Sequence, residues 1–268
     1  MRKLLIIAVI ALIAGPSLNA QGELDEQQKI FFRNEKSFAI LLNTDGFGLS
    51  YREARRINYL NKRIYEIELG TLKHPREYKQ SNLYSQGTFV FGKLNTSVYL
   101  RGSIGHQHEL FEKADLGGIA VRYFISAGPA LALYKPIYYK VLHPISTNFE
   151  YEIREEKFDP QIHDPSLIYS KASFFKGFDE TKALPGLFVK GGFNFEYSKE
   201  DKVIHAIEVG ASLSGYPQKI PIMASSDNKA LFFSLFASYR FGIVVDPLDP
   251  ESNKLSNIFR RRTTQDNF

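Results

Sequence analysis

The sequence predicts an all-β chain: a transmembrane antiparallel β-barrel of eight strands, following a cleaved signal peptide. Three observations predict it. From Leu231 to Ile243, the residues Leu231, Phe233, Leu235, Ala237, Tyr239, Phe241 and Ile243 alternate with Phe232, Ser234, Phe236, Ser238, Arg240 and Gly242. A strict period of two over that length, with one side wholly apolar, matches a tilted strand crossing a bilayer. At the N-terminus, Arg2 and Lys3 precede the apolar run Leu4 to Ala14 and a cleavage region, Pro16 to Ala20, that ends in a small residue. That order is a secretory signal peptide over residues 1–20, leaving Gln21 first. No later apolar run is long enough for a spanning helix, so a membrane-spanning chain must close its strands into a barrel.

Composition narrows the class further. The chain has no cysteine, which excludes a lipoprotein anchor, disulfides and thiol chemistry. The formal charge of +5 falls when Arg2 and Lys3 leave with the leader, and so slight a balance gives no support to nucleic-acid binding. Fifteen Tyr and 22 Phe without Trp make the heavy aromatic load that the interface girdles of a membrane barrel require.

Taken in order, residues 21–36 read as a periplasmic lead-in, 37–245 as the outer-membrane barrel and 246–268 as a periplasmic tail, basic at Lys254 and Arg260 to Arg262. The first strand starts near Ser37. Phe38, Ile40 and Leu42 share one face, then Phe47, Leu49 and Tyr51 take the opposite parity. The switch at Thr44-Asp45-Gly46 predicts a β-bulge within one long strand. In the second strand Tyr65, Ile67 and Leu69 alternate with Glu66, Glu68 and Gly70. Two carboxylates on consecutive inward positions fit a polar barrel interior and not an apolar soluble core.

Residues 74–95, rich in Ser, Gln and Gly, read as a loop longer than a periplasmic turn should be. Strands three and four run near Val98 to Gly105 and Ile119 to Ser126, and Ala127-Gly128-Pro129 predicts a tight turn between four and five. Strand five, Ala130 to Val141, contains Pro136, which suits a strand end or a bulge. Residues 143–185 form a long extracellular loop. Strands six and seven, Leu187 to Glu196 and Ala206 to Ser214, flank the charged turn Ser198 to Lys202, and the alternating stretch from Leu231 closes the barrel. Eight is an even count, as single-chain bacterial barrels require.

The inward positions carry Glu66, Glu68, Arg101, Arg122, Lys190, Glu196, Glu208 and Arg240. Four charges of each sign in so narrow a barrel predict a paired network filling the lumen. An ion-selective pore would instead concentrate one sign along its path. No catalytic, cofactor or metal site is assigned. His106 and His108, with Glu109 and Glu112 behind them, share a side of the strand but sit where it becomes a loop. Ser103 and His106 fall on opposite parities, and no Gly-x-Ser-x-Gly elbow is present. In the 143–185 loop, Tyr151, Phe158, Tyr169, Phe174, Phe175 and Phe178 among Glu and Asp residues form a candidate partner surface.

Five segments carry a family likeness: Asn43 to Gly48; Tyr65-Glu66-Ile67-Glu68 before Lys73-His74-Pro75; Phe91 to Asn95; Arg122-Tyr123-Phe124; and Leu133-Tyr134-Lys135-Pro136. Together they resemble small outer-membrane β-barrel proteins of Bacteroidota. The resemblance implies fold and location and transfers no active site. The function expected is a non-enzymatic barrel serving as a structural or accessory subunit of an envelope complex, in secretion or outer-membrane assembly. Its partners would be outer-membrane lipid and envelope proteins, without cofactor or nucleic acid. An outer-membrane deacylase or lipase is the alternative, and a narrow pore a further one.

Overall fold

The computed structural model describes residues 34–245 apart from 84, 115–116, 146–150, 199–201 and 225–226. The predicted signal peptide, most of the lead-in and the basic tail lie outside the described residues. In chain order the strands are β1 (Asn34–Asn43), β2 (Gly46–Arg56), β3 (Asn61–Leu72), β4 (Asn95–Phe111), β5 (Ala120–Pro136), β6 (Tyr138–Pro144), β7 (Tyr151–Lys157), β8 (Ile168–Lys171), β9 (Lys182–Glu196), β10 (Val203–Gly215) and β11 (Leu231–Val245). Eight of them close an antiparallel barrel in the order β1-β11-β10-β9-β5-β4-β3-β2, and β7-β6-β8 form a separate three-stranded sheet within the β5–β9 connection. Strand β1 begins at Asn34, inside the stretch read as lead-in.

Two strand assignments change, and they cancel in the count. The parity switch at Thr44-Asp45-Gly46 is a hairpin and not a bulge: β1 and β2 pair Asn43 with Gly46 and Leu42 with Phe47 across a two-residue turn. Gly46 has φ 151°, and a Cβ there would lie 2.4 Å from Thr71 Oγ1 and 2.5 Å from Thr71 O. In the other direction, Ala127-Gly128-Pro129 is no turn but the middle of β5. Gly128 is needed because β4 comes close: a Cβ would lie 2.0 Å from Gly102 O. Pro129 has no N–H to give, and the β4–β5 register lapses beside it, running to Arg101↔Ala130 and resuming at Ile104↔Ala127. The predicted fifth strand is divided between the end of β5 and β6.

The extra hairpin puts the connections in order. Those at 57–60, 112–119 and 197–202 lie at the end of the barrel where Asn34 and Val245 stand. The 44–45 turn and the longer connections 73–94, 137–181 and 216–230 lie at the other, the loop end. The long insertion therefore starts at 137 and ends at 181, and it contains β6, β7, β8 and a 3-10 turn at Pro165–Leu167. Residues 73–94 belong with it, which explains a length that a terminal-end turn would not have.

Burial alternates along every barrel strand. Outward positions keep large apolar side chains in the open, among them Ile40, Leu49, Ile67, Ile104, Ile125, Leu187, Val209, Phe233 and Leu235. Toward the terminal end the outward face turns aromatic. Tyr51, Phe38, Phe241, Tyr239, His205 and Tyr197 form a chain of neighbours with ring centroids 5.1 to 6.3 Å apart. The inward positions of the same strands are Ser, Glu, Arg, Lys and Asn over most of their length.

Candidate functional site

The interior is built in layers, and its centre is a closed square of ions. Arg52 on β2 donates from Nη1 to Glu208 Oε1 at 2.6 Å and from Nη2 to Glu66 Oε2 at 2.9 Å. Arg240 on β11 donates from Nη2 to Glu66 Oε1 at 2.8 Å and Glu208 Oε2 at 3.0 Å. Each guanidinium thus bridges the same two carboxylates, from β3 and β10, using the fork geometry that makes arginine suited to such sites. Asn194 and Ser238 add donors to Glu208 at 2.9 and 3.3 Å. Glu68 extends the square, accepting from Lys190 Nζ at 2.7 Å and from Arg101 Nη1 at 3.0 Å. Arg101 Nη2 then donates to Ser214 at 2.8 Å.

Toward the terminal end lies a second group. Arg122 binds Glu196 and stands 3.5 Å from Glu109. Lys113 donates to Glu196 at 2.8 Å and to Ser198 O at 2.9 Å, and Lys62 pairs with Glu35. Against the square packs a small apolar cluster of Ala54, Ile64, Phe124 and Phe236. Two of the central cations use its rings: the Arg52 guanidinium and the Lys190 amine each lie 4.7 Å from a centroid, of Phe124 and Phe236 respectively.

All eight predicted lumen charges are buried inside the barrel, and they fall into two groups: Glu66, Glu68, Arg101, Lys190, Glu208 and Arg240 in the centre, Arg122 and Glu196 below. Sequence reasoning missed five charged partners, among them Lys113, which reaches Glu196 from the 112–119 connection. Arg52 has the inward parity of Ser50, but with the β1–β2 hairpin taken as one long strand it falls at that strand's charged end. Glu35 and Lys62 were placed in the lead-in and a loop, although they continue the inward parity of β1 and β3. Glu109 belongs to a strand that runs further than its sequence pattern suggests. With them, the charges of one sign no longer match the other within the central group.

The loop end is closed by apolar side chains. Tyr216, Ile220, Ile222 and Met223 from the 216–230 connection and Val90 from the 73–94 connection pack with Leu72, Tyr99, Leu184, Phe188 and Phe232 of the barrel wall. Beside this plug stands the core of the small sheet, made of Phe89, Tyr139, Val141, Phe158 and Ile168. Tyr139 Oη donates to Val90 O at 2.7 Å, joining the two. Burial pushes this phenol far above its ordinary value.

The candidate partner surface splits. Phe158 is buried, 5% exposed, in the sheet core against Phe91 and Tyr139, so it cannot meet a partner. Tyr169 is half-buried and Tyr151 exposed. Phe174, Phe175 and Phe178 remain together and open, with ring centroids 5.5 to 6.0 Å apart.

The residues weighed for chemistry do not converge. Ser103 points into the barrel and is buried. The rings of His106 and His108 both reach Asn61 Oδ1, at 2.9 and 2.7 Å. Among the described residues, no group of three His, Cys, Asp or Glu side chains is arranged to hold a metal ion.

No protein-family model matches the chain, and no curated protein matches its sequence. Among solved structures the chain is similar to Neisserial surface protein A, at 11% identity and a TM-score of 0.36 over 80% of this chain and 97% of that one. It is also similar to Ail, the attachment invasion locus protein of Yersinia pestis, at 8% identity and 0.34 over 80% and 97%. A third likeness is to the N-terminal β-barrel domain of Pseudomonas aeruginosa OprF, at 7% identity and 0.33 over 80% and 98%.

Proposed function

We propose that this chain spans an outer membrane and serves there as a non-enzymatic structural or accessory subunit of an envelope complex. The outward apolar face supports the membrane reading. Leu, Ile and Phe side chains exposed on every strand of a closed barrel would aggregate in water, whereas a bilayer covers them. The aromatic chain from Tyr51 to Tyr197 then marks the inner interface, with the 57–60, 112–119 and 197–202 connections in the periplasm and the three long connections outside beside the 44–45 turn.

One observation carries the subunit reading: the interior is packed with buried ion pairs and capped at its loop end by apolar side chains. A lumen holding the Arg52–Glu66–Arg240–Glu208 square, with an apolar plug at its mouth, supports neither solute passage nor a water-filled catalytic cleft. What the fold offers to other molecules is its rim, where the β5–β9 connection builds a folded sheet instead of a bare loop. A deacylase or lipase would need a Ser/His/acid set near the outer rim, and the pair Ser103 and His106 does not supply one, since β4 sends the two to opposite faces.

The test is co-purification from native membranes in mild detergent. Other envelope proteins should come out with the chain in fixed proportion. If it emerges alone and its deletion leaves envelope assembly unchanged, the subunit reading fails. Steady conductance in planar bilayers would revive the pore instead.

A further inference from the structure

Phe174, Phe175 and Phe178 sit in the segment that leads from the small sheet into β9. They are 62%, 77% and 51% exposed. Their place on the barrel is fixed by Lys135. On β5 this residue shares the outward parity of Leu131 and Leu133, and it stands opposite Thr96 of β4. Outward lysines at a barrel rim normally extend into solvent, yet Lys135 is only 8% exposed. Phe174 and Phe178 cover it, their centroids 5.2 and 5.5 Å from its amine, which donates to Lys176 O at 2.8 Å. The three rings therefore hang on the outer wall of the barrel and not over its mouth. Directly below them on the same wall run Leu133, Leu131 and Leu100, with Leu187 alongside on β9.

We propose that Phe174, Phe175 and Phe178 form a loop-borne anchor that seats in the outer leaflet of the bilayer, at the boundary between headgroups and acyl chains. The inference rests on the membrane-spanning reading above. Its occupant is a lipid surface because the rings cover Lys135 at the rim end of the outward row that continues through Leu133 and Leu131. Aromatic rings favour that depth, and the exposed Lys182 close by in the chain supplies a cation suited to headgroups. The fold supplies rigidity: Lys135 holds the segment through two rings and a backbone carbonyl, so the anchor is ordered before it meets lipid. It would pin the small sheet against the membrane and so fix how the rim is presented to partners.

The chain has no tryptophan, so one introduced Trp reports its own surroundings. The full chain is refolded into phosphatidylcholine vesicles as Phe175→Trp, with Leu235→Trp on the barrel wall and Leu83→Trp, a position 99% exposed in the 73–94 connection, as references. Phe174→Trp guards against misfolding of the first variant. The expected result is blue-shifted emission at position 175 and quenching by lipids brominated near the headgroup. Protection from aqueous acrylamide should be several-fold greater than at position 83. If position 175 is as open to acrylamide as position 83 while Leu235→Trp is quenched by deeply brominated lipid, the anchor is overturned, the barrel stands, and the rings are left for a protein partner. If position 235 is also untouched by lipid, the membrane reading has failed and the anchor falls with it.

Discussion

The barrel and the small sheet on its β5–β9 connection are built with opposite polarity. In the barrel, Arg52, Glu66, Lys190, Glu208 and Arg240 are inside while Leu49, Ile67, Ile207 and Leu235 are outside. In the small sheet Tyr139, Val141, Phe158 and Ile168 are inside, and β7, with its Glu152, Arg154, Glu155 and Glu156, is exposed along nearly its whole length. The same residue types obey opposite rules within one chain. What differs is the surrounding medium. A lipid-facing wall has no use for polar side chains and sends them inward, where they must satisfy one another. A sheet in water does the reverse.

The largest effect expected is at the centre of the square. Glu208→Leu removes the acceptor shared by Arg52, Arg240, Asn194 and Ser238 and leaves two buried guanidinium groups to share Glu66 alone, which should cost about 3–5 kcal/mol. Urea unfolding in detergent, followed by circular dichroism, would measure it; an unchanged midpoint would mean the network contributes nothing to stability. Phe158→Ala should cost a similar amount, about 3–5 kcal/mol, but locally. Protease should then cut within 137–181 while the barrel keeps its unfolding midpoint. A barrel midpoint that drops with it would show that the two regions unfold as one, and the contrast between them would lose its meaning.

A subtler pair compares exposed apolar residues on the two surfaces. Leu235→Arg, near the middle of the lipid-facing wall, should destabilise the barrel by about 2–4 kcal/mol in bilayers. Ile153→Arg is 48% exposed on β7 and should change stability by no more than about 0.5 kcal/mol, as surface substitutions in water usually do. Equal costs at both sites would place the two surfaces in the same solvent.

Much of this polarity is legible in the sequence, because a period of two states which residues share a face. The apolar parity of β11 and the inward glutamates of β3 can be read directly. Connectivity is less legible, for a physical reason in each case. At Thr44-Asp45-Gly46 a bulge and a two-residue hairpin leave the same trace, a change of parity beside glycine. At Gly128-Pro129 a turn signal reports instead the close approach of β4, which only the partner strand reveals. The two errors cancelled, so the count of eight was reached with one strand too few before β3 and one too many after β4. Phe158 was misjudged for a similar reason. An aromatic residue in a charged, aperiodic stretch says nothing of the core that Phe89, from a distant connection, helps to form.

The smallest effect concerns acid, and it separates the two regions by their exposure. Glu156 in the small sheet lies between two imidazoles, 2.9 Å from His143 Nε2 and 3.0 Å from His163 Nε2. Asp159 N–H donates to His163 Nδ1 at 2.9 Å, which leaves the Nε2 proton for Glu156, and the His163 ring stacks on Phe158. The hydrogen bond from His163, with the nearby His143, holds the Glu156 carboxyl below its ordinary value of 4.5. A depressed carboxylate contributes stability that is complete above its unfolded value and lost as pH falls through the folded one. Amide protection in β6 and β7, taken relative to the intrinsic exchange rate at each pH, should therefore fall below the ordinary carboxylate range, and Glu156→Gln should flatten that dependence. The barrel strands give the control, since their amides sit behind the lipid-facing wall and should keep their protection where the sheet has begun to lose its own. Parallel loss in both regions would mean that acid acts on the whole molecule and that Glu156 has no local role.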